Sequence, residues 1–358
     1  MKYRILIFIW ILSLFICCSS EGDTTAKPEP EQELYFPDSE NWESTSPEDL
    51  GWNTENINDL INFLDNSGTK AFIILKNGKI ALEWYGNGED SSSNLPWNSA
   101  GKTLSAFLMG IAQEEGYLSL EESSKKYLGA GWSSLTAEQE AHISIWNHIT
   151  MTTGLDYEGD TFCYDPECLT YLNEPGTFWY YHNAPYTLTQ DIIENAVNKD
   201  FRSYFNEKLR DRIGMNGAWI TLGYNHVYFS NARSMARFGL LCLNQGNWKN
   251  AEIMTDKSYF SEMLHTSQPL NPSYGYLWWL NGKSSFRLPQ SSSSFQGSII
   301  PNAPDDLVAG LGANDQKLYI SKSLKLVVVR MGASAGETQL GLSSYDNQLW
   351  DRLRKMIN

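Results

Sequence analysis

A serine and a lysine stand three positions apart where a loop leads into a long apolar run, in Trp-Asn-Ser-Ala-Gly-Lys over 97–102. The spacing predicts that Ser99 and Lys102 lie one turn apart on the same face at the start of a helix. The positive end of the helix dipole favours a developing alkoxide there. A partly desolvated Lys102 has a lowered pKa and can accept the serine proton. The pair predicts a lysine-activated serine nucleophile, and the alternative is that Ser99 is only a helix N-cap.

A tyrosine and an asparagine form a second candidate pair at the end of the aromatic segment 175–183. A cationic Lys102 nearby would lower the pKa of Tyr181, because positive charge favours the phenolate. Tyr181 could then act as general base toward Ser99 and as general acid toward a leaving group. Asn183 offers an amide that can bind a substrate carbonyl and orient Lys102. The alternative is an aromatic core segment that precedes a helix starting near Thr187.

The elements that must position these residues are clearest at the two ends of the chain. Asn77-Gly78 lies between two apolar runs over 71–85, which predicts a β-hairpin. Residues 317–320 and 326–331 predict two more strands. Helices are expected over 54–65 and over 344–356, where the apolar residues fall on one face.

The middle of the chain, from 99 to about 265, has mostly helical periodicity broken by long loops. Strands at both ends with helices between them predict one α/β domain. Its antiparallel sheet is built from N- and C-terminal strands, flanked by helices, with a mainly helical subdomain inserted. We place this domain at 49–358.

Several motifs in order resemble one known family. They are Ser99-Ala-Gly-Lys102, Met151-Thr-Thr-Gly-Leu155, the segment ending in Tyr181-His-Asn183, and Asn314-Asp-Gln316 before the last strand pair. From about residue 50 onward the chain resembles the serine hydrolases that include class C β-lactamases, D-Ala-D-Ala carboxypeptidases, esterases and 6-aminohexanoate-dimer hydrolases. The resemblance implies a β-lactamase/transpeptidase-like fold and an acyl-enzyme on Ser99, formed without a metal or cofactor.

The same resemblance implies roles for the other site residues. Lys102 and Tyr181 would share the proton transfers, and Asn183 would position Lys102 and the substrate. The oxyanion hole would combine the backbone N–H of Ser99 with one from the strand end at Gly312, Ala313 and Asn314. Tyr-x-Asn in place of Ser-Asp-Asn indicates the class C-like branch.

One departure from the family concerns its third motif, Lys-Thr-Gly or His-x-Gly before the strand pair. Residues 308–316 contain neither Lys nor His, and Asp315 would repel a substrate carboxylate if it faced the site. We therefore expect an esterase or amidase that prefers neutral acyl substrates and hydrolyses cephalosporins poorly. The exception would be that Arg233, Arg237 or Arg287 supplies the missing cation.

Two other interpretations compete with this one. Gly332-Ala-Ser334-Ala-Gly336 matches the nucleophile elbow of α/β-hydrolases, but that fold needs a later histidine and the last one here is His265. A different possibility is an inactive protein of the same fold that binds a peptidoglycan or carbohydrate ligand. The aromatic residues of 274–279 could line such a site, or they could form a buried strand.

The N-terminus predicts export. Lys2 and Arg4 precede an apolar run over 5–16 that is short for a membrane span and typical of a signal peptide. The following cysteines resemble a bacterial lipobox, with Cys18 as the lipidated residue; an ordinary cleaved signal peptide is the alternative. We thus expect a signal peptide at 1–17, a tether at 18–48, and a lipoprotein in the periplasm or at the cell surface, held at the membrane by its lipid.

The remaining cysteines and the charge limit the other functions. In an exported protein, Cys163 and Cys168 predict a small disulfide loop, and Cys242 a buried thiol. A zinc site would need His142 and His148 as further ligands, and we expect none. The formal net charge of -15 argues against nucleic acid as a partner. The expected partner is a small ester or amide substrate, whose identity the sequence does not specify.

Overall fold

The computed structural model describes residues 33–38, 41–160, 163–335 and 341–357. Apart from Glu33, these residues belong to one structural unit, Leu34–Asn358. The predicted signal peptide at 1–17, the expected lipidation residue Cys18 and much of the predicted tether lie outside the described residues.

Within the described residues the strands are β1 (Thr69–Lys76), β2 (Lys79–Tyr85), β3 (Leu95–Pro96), β4 (Ala218–Leu222), β5 (Asn225–Ser230), β6 (Asn247–Trp248), β7 (Ala251–Glu252), β8 (Trp279–Leu280), β9 (Ser285–Arg287), β10 (Ser294–Gln296), β11 (Val308–Gly312), β12 (Gln316–Ser321) and β13 (Leu326–Gly332). The α-helices are α1 (Ile57–Asn66), α2 (Lys102–Glu114), α3 (Lys125–Leu128), α4 (Ala137–His142), α5 (Ile145–Ile149), α6 (Asn183–Val197), α7 (Phe201–Phe205), α8 (Ala232–Leu243), α9 (Lys257–Met263) and α10 (Ser344–Ile357). Short 3-10 turns, Thr54–Asn56 and Asn98–Gly101, precede α1 and α2.

An antiparallel sheet with the strand order β2-β1-β13-β12-β11-β8 forms the centre of the fold. Ile73 of β1 lies opposite Val329 of β13, so strands from the two ends of the chain are neighbours. The β1–β2 turn has positive φ at Asn77 (51°) and Gly78 (84°), as a two-residue hairpin of this sequence requires. The predicted fold class, hairpin and C-terminal strands are confirmed.

Helices cover both faces of this sheet. On one face α8 approaches closely, because a Cβ on Gly239 would lie 2.5 Å from Val327 Cγ1. On the other face α10 packs against β12, where the Trp350 and Tyr319 rings meet at 5.7 Å. α1 joins α10 through stacked rings of Phe63 and Tyr345, 5.1 Å apart.

The inserted middle of the chain is helical, as predicted, but it also contains a small sheet with the order β3-β5-β4. The sequence did not predict these strands. In β4 only Trp219 is buried, so the strand lacks the alternation of apolar and polar residues that identifies a half-buried strand. This small sheet matters because it supports the turn that carries Ser99.

The cysteines behave as predicted. A disulfide joins Cys163 and Cys168, whose Cα atoms are 5.8 Å apart. Cys242 is a buried free thiol in α8. Across the described ranges, no helix has the length and hydropathy to cross a membrane. The same residues contain no cluster of three metal-ligating side chains, and His148 Nδ1 bonds the Pro185 carbonyl at 2.8 Å.

Candidate active site

The turn that carries Ser99 is fixed by Trp97. The Trp97 backbone N–H donates to the Tyr228 carbonyl (2.8 Å) and its indole N–H donates to Ser230 Oγ (2.7 Å). Asn98 then adopts a positive φ of 47° and Ser99 lies within the 3-10 turn. Neither this turn nor α2 has a side-chain N-cap, so the interpretation of Ser99 as an N-cap is wrong.

Lys102 is the first residue of α2 and directs its amine at the serine. Its Nζ donates to Ser99 Oγ over 3.1 Å. Ser99 is partly exposed, whereas Lys102 is only 3% exposed. Burial lowers the pKa of Lys102 to about 7, because a charged ammonium is costly without water. The geometry therefore gives Ser99 a base that is largely unprotonated just above neutral pH.

Tyr181 also lies close to the lysine amine, whose Nζ is 5.4 Å from the centre of its ring. Burial raises the pKa of Tyr181 above its usual value, and a hydrogen bond with Ser99 only partly opposes the rise. The expected lowering by a cationic lysine is wrong. Because the pKa of Lys102 is itself lowered, little positive charge is present to stabilise a phenolate.

Asn183 is the first residue of α6, so the helix begins earlier than the alternative start near Thr187. Its Oδ1 is buried and has no hydrogen-bond partner among the described residues. Asn183 Oδ1 therefore accepts no hydrogen bond from Lys102, the residue that the amide was expected to orient. A buried amide oxygen without a partner can instead accept a hydrogen bond from a substrate N–H. Asn183 also hydrogen-bonds Tyr164, from the disulfide loop.

The segment 151–155 holds the loop that ends in Tyr181. The Tyr180 N–H donates to the Met151 carbonyl (3.2 Å), and the Gly176 N–H donates to the Thr152 carbonyl (2.8 Å). Gly154 has a φ of 76°, and a Cβ there would lie 2.0 Å from the Asn173 carbonyl oxygen. Only glycine fits at this crossing, which explains the glycine within Met-Thr-Thr-Gly-Leu.

The end of β11 lies directly against the Ser99 turn. A Cβ on Gly312 would lie 2.3 Å from the Trp97 carbonyl oxygen and 2.9 Å from the Ala100 nitrogen. Asn98 Nδ2 donates to the Ala313 carbonyl over 2.7 Å. Two of the expected oxyanion residues, Gly312 and Ala313, are thus brought beside the nucleophile. Asn314 follows in a turn with a φ of 59°, and its carbonyl accepts from Arg330 Nη1 at 3.0 Å.

A protein-family model described as Beta-lactamase matches residues 66–318, a span that contains Ser99, Lys102, Tyr181 and Asn183. The chain belongs to the β-lactamase family. The family consists in general of serine hydrolases that act on small amide or ester substrates. A search of curated proteins finds no match.

Solved structures share the fold. A protein assigned as a 6-aminohexanoate-dimer hydrolase from Bacillus anthracis is 20% identical, with a TM-score of 0.65 over 88% of this chain and 86% of that one. A protein assigned as a β-lactamase from Bacteroides dorei is 16% identical, with a TM-score of 0.67 over 86% and 99%. A class C β-lactamase with a tyrosine-to-phenylalanine mutation is 14% identical, with a TM-score of 0.61 over 84% and 96%.

The third-motif region of this β-lactamase-family protein differs from the sequence expectation in one respect. Asp315 is fully buried and pairs with Lys317 at 3.0 Å. Burial opposes ionisation, but the Lys317 charge and hydrogen bonds from Ser343 and Ala335 leave the pKa of Asp315 below its usual value. Asp315 therefore does not face the site, so the condition under which it would repel a substrate carboxylate is not met.

The three arginines considered as substitute cations have different surroundings. Arg233 Nε pairs with Glu83 at 2.7 Å. Arg237 Nη1 donates to the Ile213 carbonyl at 3.0 Å. Arg287 instead lies over the Phe178 ring, with its Cζ 4.8 Å from the ring centre. Arg287 is the one that lies beside the loop of Tyr181.

The competing sites find less support in the structure. Ser334 follows β13, which is antiparallel to both neighbours, whereas a nucleophile elbow follows a parallel strand with a helix packed against it. Gly336, the end of that motif, lies outside the described residues. Tyr274, Tyr276, Trp278 and Trp279 are all buried, so this aromatic group belongs to the core and lines no open carbohydrate site.

Proposed function

We propose that this β-lactamase-family protein is an esterase or amidase that hydrolyses its substrate through an acyl-enzyme on Ser99. The observation that carries the proposal is the 3.1 Å contact between Lys102 Nζ and Ser99 Oγ, together with a lysine pKa of about 7. A neutral amine at this distance is a competent general base for a serine hydroxyl.

In the proposed acylation step, Ser99 Oγ attacks the substrate carbonyl carbon while its proton moves to Lys102 Nζ. The bond to the leaving oxygen or nitrogen then breaks, and that atom takes the proton of the Tyr181 hydroxyl. Tyr181 regains a proton from the Lys102 ammonium. Its raised pKa suits this role, because the phenol holds its proton until a leaving group needs it.

Deacylation uses the same residues in the opposite sense. A water molecule attacks the acyl-Ser99 carbonyl carbon and gives a proton to Lys102. The bond between that carbon and Ser99 Oγ then breaks, and the Lys102 ammonium returns the proton to Oγ. Negative charge on the carbonyl oxygen is stabilised in both steps by backbone N–H groups of Ser99 and the strand end near Ala313. The contact of Gly312 with the Ser99 turn supports this arrangement.

The proposed site has no cationic side chain at 308–316 to bind a carboxylate directly beside the scissile bond. The side chains of 308–316 include no cation, and Asp315 is buried in its own ion pair. Substrates such as cephalosporins lose a charge-assisted contact worth roughly 1.5–3 kcal/mol. We therefore propose poor turnover of cephalosporins relative to short-chain esters.

The test is a hydrolysis screen of p-nitrophenyl esters, D-amino-acid amides and a chromogenic cephalosporin. Wild type is compared with Ser99→Ala, and each preparation is checked by thermal unfolding. We expect ester turnover that Ser99→Ala abolishes. If a folded wild type hydrolyses no compound of the screen, the inactive ligand-binding alternative replaces the proposal. If the kcat/KM for a cephalosporin equals that for a short-chain ester, the proposed substrate preference is rejected and the proposed hydrolase activity is retained.

We also propose that the protein is exported and anchored through a lipid on Cys18. The disulfide between Cys163 and Cys168 supports an oxidising compartment. In cell fractionation, the wild type should follow the membranes and Cys18→Ser should become soluble. A Cys18→Ser variant that stays with the membranes, without a mass change at Cys18 in the wild type, rejects the lipid anchor.

A further inference from the structure

Strand β4 (Ala218–Leu222) is an open edge of the small sheet. It pairs with β5 on one side and has no neighbouring strand on the other. Its register with β5 ends with Leu222 opposite Asn225 and contains no bulge. These two residues close a two-residue turn, so they form a hydrogen-bonded pair, and such pairs alternate along the strand. The backbone N–H and C=O groups of Trp219 and Thr221 therefore point to the open side.

The open side of β4 has no other covering element in the described part of the chain. No backbone hydrogen bond joins Trp219 or Thr221 to a described residue outside the small sheet. Arg202 donates to the hydroxyl of Thr221 (2.8 Å) and not to its backbone. A row of unpaired backbone groups is a template for a further strand.

Other edges of the fold are protected, and β4 is not. The outer edge of β2 is covered by the segment 43–45, because the Ile80 N–H donates to the Glu43 carbonyl (3.0 Å) and the Thr45 N–H donates to the Ile80 carbonyl (2.9 Å). The opposite edge of the small sheet, β3, has only two residues, one of them Pro96. β4 has neither a charged residue nor a proline. Since proteins usually block exposed edges by such means, an unblocked edge indicates a partner strand.

One face of β4 is also apolar and open to solvent. Ile220 is 43% exposed and Leu222 is 51% exposed, and they share this face with the exposed Ala218 because alternate residues of a strand do so. The other face carries the buried Trp219, whose ring centre lies 5.2 Å from that of Tyr228. The core thus holds the strand in place while its aliphatic side chains point outward.

We propose that β4 pairs antiparallel with β4 of a second copy of this chain, about a twofold axis at Ile220. In this register Trp219 of each copy lies opposite Thr221 of the other, and each such pair exchanges two N–H···O=C bonds. Ile220 lies opposite its own counterpart and Leu222 opposite Ala218, so the exposed apolar side chains contact one another across the axis. The strand is self-complementary in donors, acceptors and side chains, which favours a second copy over an unrelated peptide.

The charges at the two ends of β4 are complementary in the same register. Arg210, which also pairs with Asp211, has its Nη1 3.5 Å from the Gly217 carbonyl oxygen at the start of the strand. Beyond the end of the strand, Asp165 accepts a hydrogen bond from the Tyr224 hydroxyl (2.6 Å). Antiparallel pairing brings the start of one strand to the end of the other, so Arg210 of each copy approaches Asp165 of the second. This attraction locally opposes the repulsion between two chains of net charge -15.

The first test is sedimentation velocity of the full-length chain with Cys18→Ser, which removes the proposed lipid, over about 1 to 100 µM. We expect a concentration-dependent dimer. Ile220→Lys should raise the dimer Kd about tenfold or more, because two lysines then face each other at the axis. Tyr117→Lys is the matched control, since Tyr117 is 45% exposed and lies outside β4, and it should leave the Kd unchanged. Thermal unfolding verifies that each variant is folded.

Cysteine cross-linking tests the register and needs no hydrolysis. In the proposed pairing the two Cα atoms of residue 220 are about 4.5 Å apart, within the range of a disulfide. Ile220→Cys should therefore form a covalent dimer under mild oxidation, and the Cys18→Ser parent should not. Leu222→Cys alone should not either, because its two copies are about 14 Å apart along the strands. Ala218→Cys combined with Leu222→Cys should again cross-link.

Three results would each overturn the proposed dimer. They are a protein that stays monomeric over the whole concentration range, a dimer whose Kd is the same with Ile220→Lys, and equal cross-linking of Ile220→Cys and Leu222→Cys.

Discussion

The amine of Lys102 lies 3.9 Å from the centre of the Tyr186 ring, and the lysine side chain is almost completely buried. The face of an aromatic ring favours a cation, but by less than the loss of water disfavours it. Desolvation is the cause of the lowered pKa of about 7. The lysine therefore changes its protonation state in the neutral range, in contact with the group it is expected to deprotonate.

The pH dependence of hydrolysis should follow this titration. The neutral amine is the active form, so kcat/KM is expected to be low below pH 7, to rise through about pH 7 and then to level off. His148 and His182 do not titrate in this range, because burial lowers the pKa of each to about 4. A pH–rate profile on a neutral ester measures this. A rate that falls between pH 6 and 8 contradicts the role of Lys102.

Removing the amine should remove most of the activity. Lys102→Ala is expected to lower kcat by roughly 10²–10⁴-fold, the usual contribution of a general base. Lys126→Ala is the matched control, because Lys126 is exposed and its amine contacts Glu122 and the Tyr127 ring on the surface. Steady-state kinetics on a p-nitrophenyl ester measures both variants. Equal losses in the two variants would show that the effect is not specific to the site.

Covalent labelling should identify the nucleophile. A fluorophosphonate probe is expected to add its mass to the peptide that contains Ser99, because this serine is partly exposed and in contact with its base. Ser99→Ala should abolish the label, and Ser334→Ala should retain it. Labelling of the Ser334 peptide in the wild type would point to the alternative nucleophile.

Gly312→Ala tests the contact between β11 and the Ser99 turn. The new Cβ would lie 2.3 Å from the Trp97 carbonyl oxygen, so the strand end must move away from the nucleophile. We expect kcat to fall by roughly 10²-fold or more, the loss seen when an oxyanion donor is removed. Gly159→Ala is the control, because its Cβ would make an ordinary contact at 3.6 Å. Full activity of a folded Gly312→Ala would exclude this strand end from the oxyanion hole.

The disulfide loop should influence catalysis through Tyr164. Tyr164 lies next to Cys163 and hydrogen-bonds Asn183, with Asn225 Oδ1 3.5 Å from its hydroxyl. The double variant Cys163→Ser, Cys168→Ser is expected to lose about 2 kcal/mol of unfolding free energy, since the closed loop is short. Its kcat should fall, and Tyr164→Phe should reproduce that fall without the loss of stability. If both variants keep the wild-type kcat, the disulfide loop has only a structural role.

The parts of the fold that the sequence predicted are those that depend on nearby residues. Asn77-Gly78 specifies its own hairpin through the positive φ that both residues adopt. Ser99 and Lys102 share a face because helical spacing requires it. Tyr186 is three positions after Asn183 on α6, so helical spacing also puts these two residues on one face. The contact of its ring with the Lys102 amine was not predicted, because a tyrosine in a partly apolar helix does not by itself indicate a neighbouring lysine.

The sequence could not predict properties set by distant residues. The protonation of Tyr181 depends on its burial against Tyr274 and Trp279, about a hundred positions away along the chain. The orientation of Asp315 depends on Ser343, which follows the last strand and donates its hydroxyl to Asp315 Oδ1. Pairings of this kind follow from tertiary packing, which local propensity does not encode.

The pairing of Ile73 with Val329 has a consequence for the synthesis of the protein. A growing chain exposes Ser99 and Lys102 long before β11 and β13 leave the ribosome, and until then β1 has no partner on its inner edge. Such long-range closure slows folding and leaves an open edge that can bind chaperones or aggregate. A truncated or unfinished chain would hold Ser99 and Lys102 without the strand end that is proposed to stabilise the oxyanion. We therefore expect the proposed hydrolysis only after β11 and β13 have been synthesised and have joined the sheet.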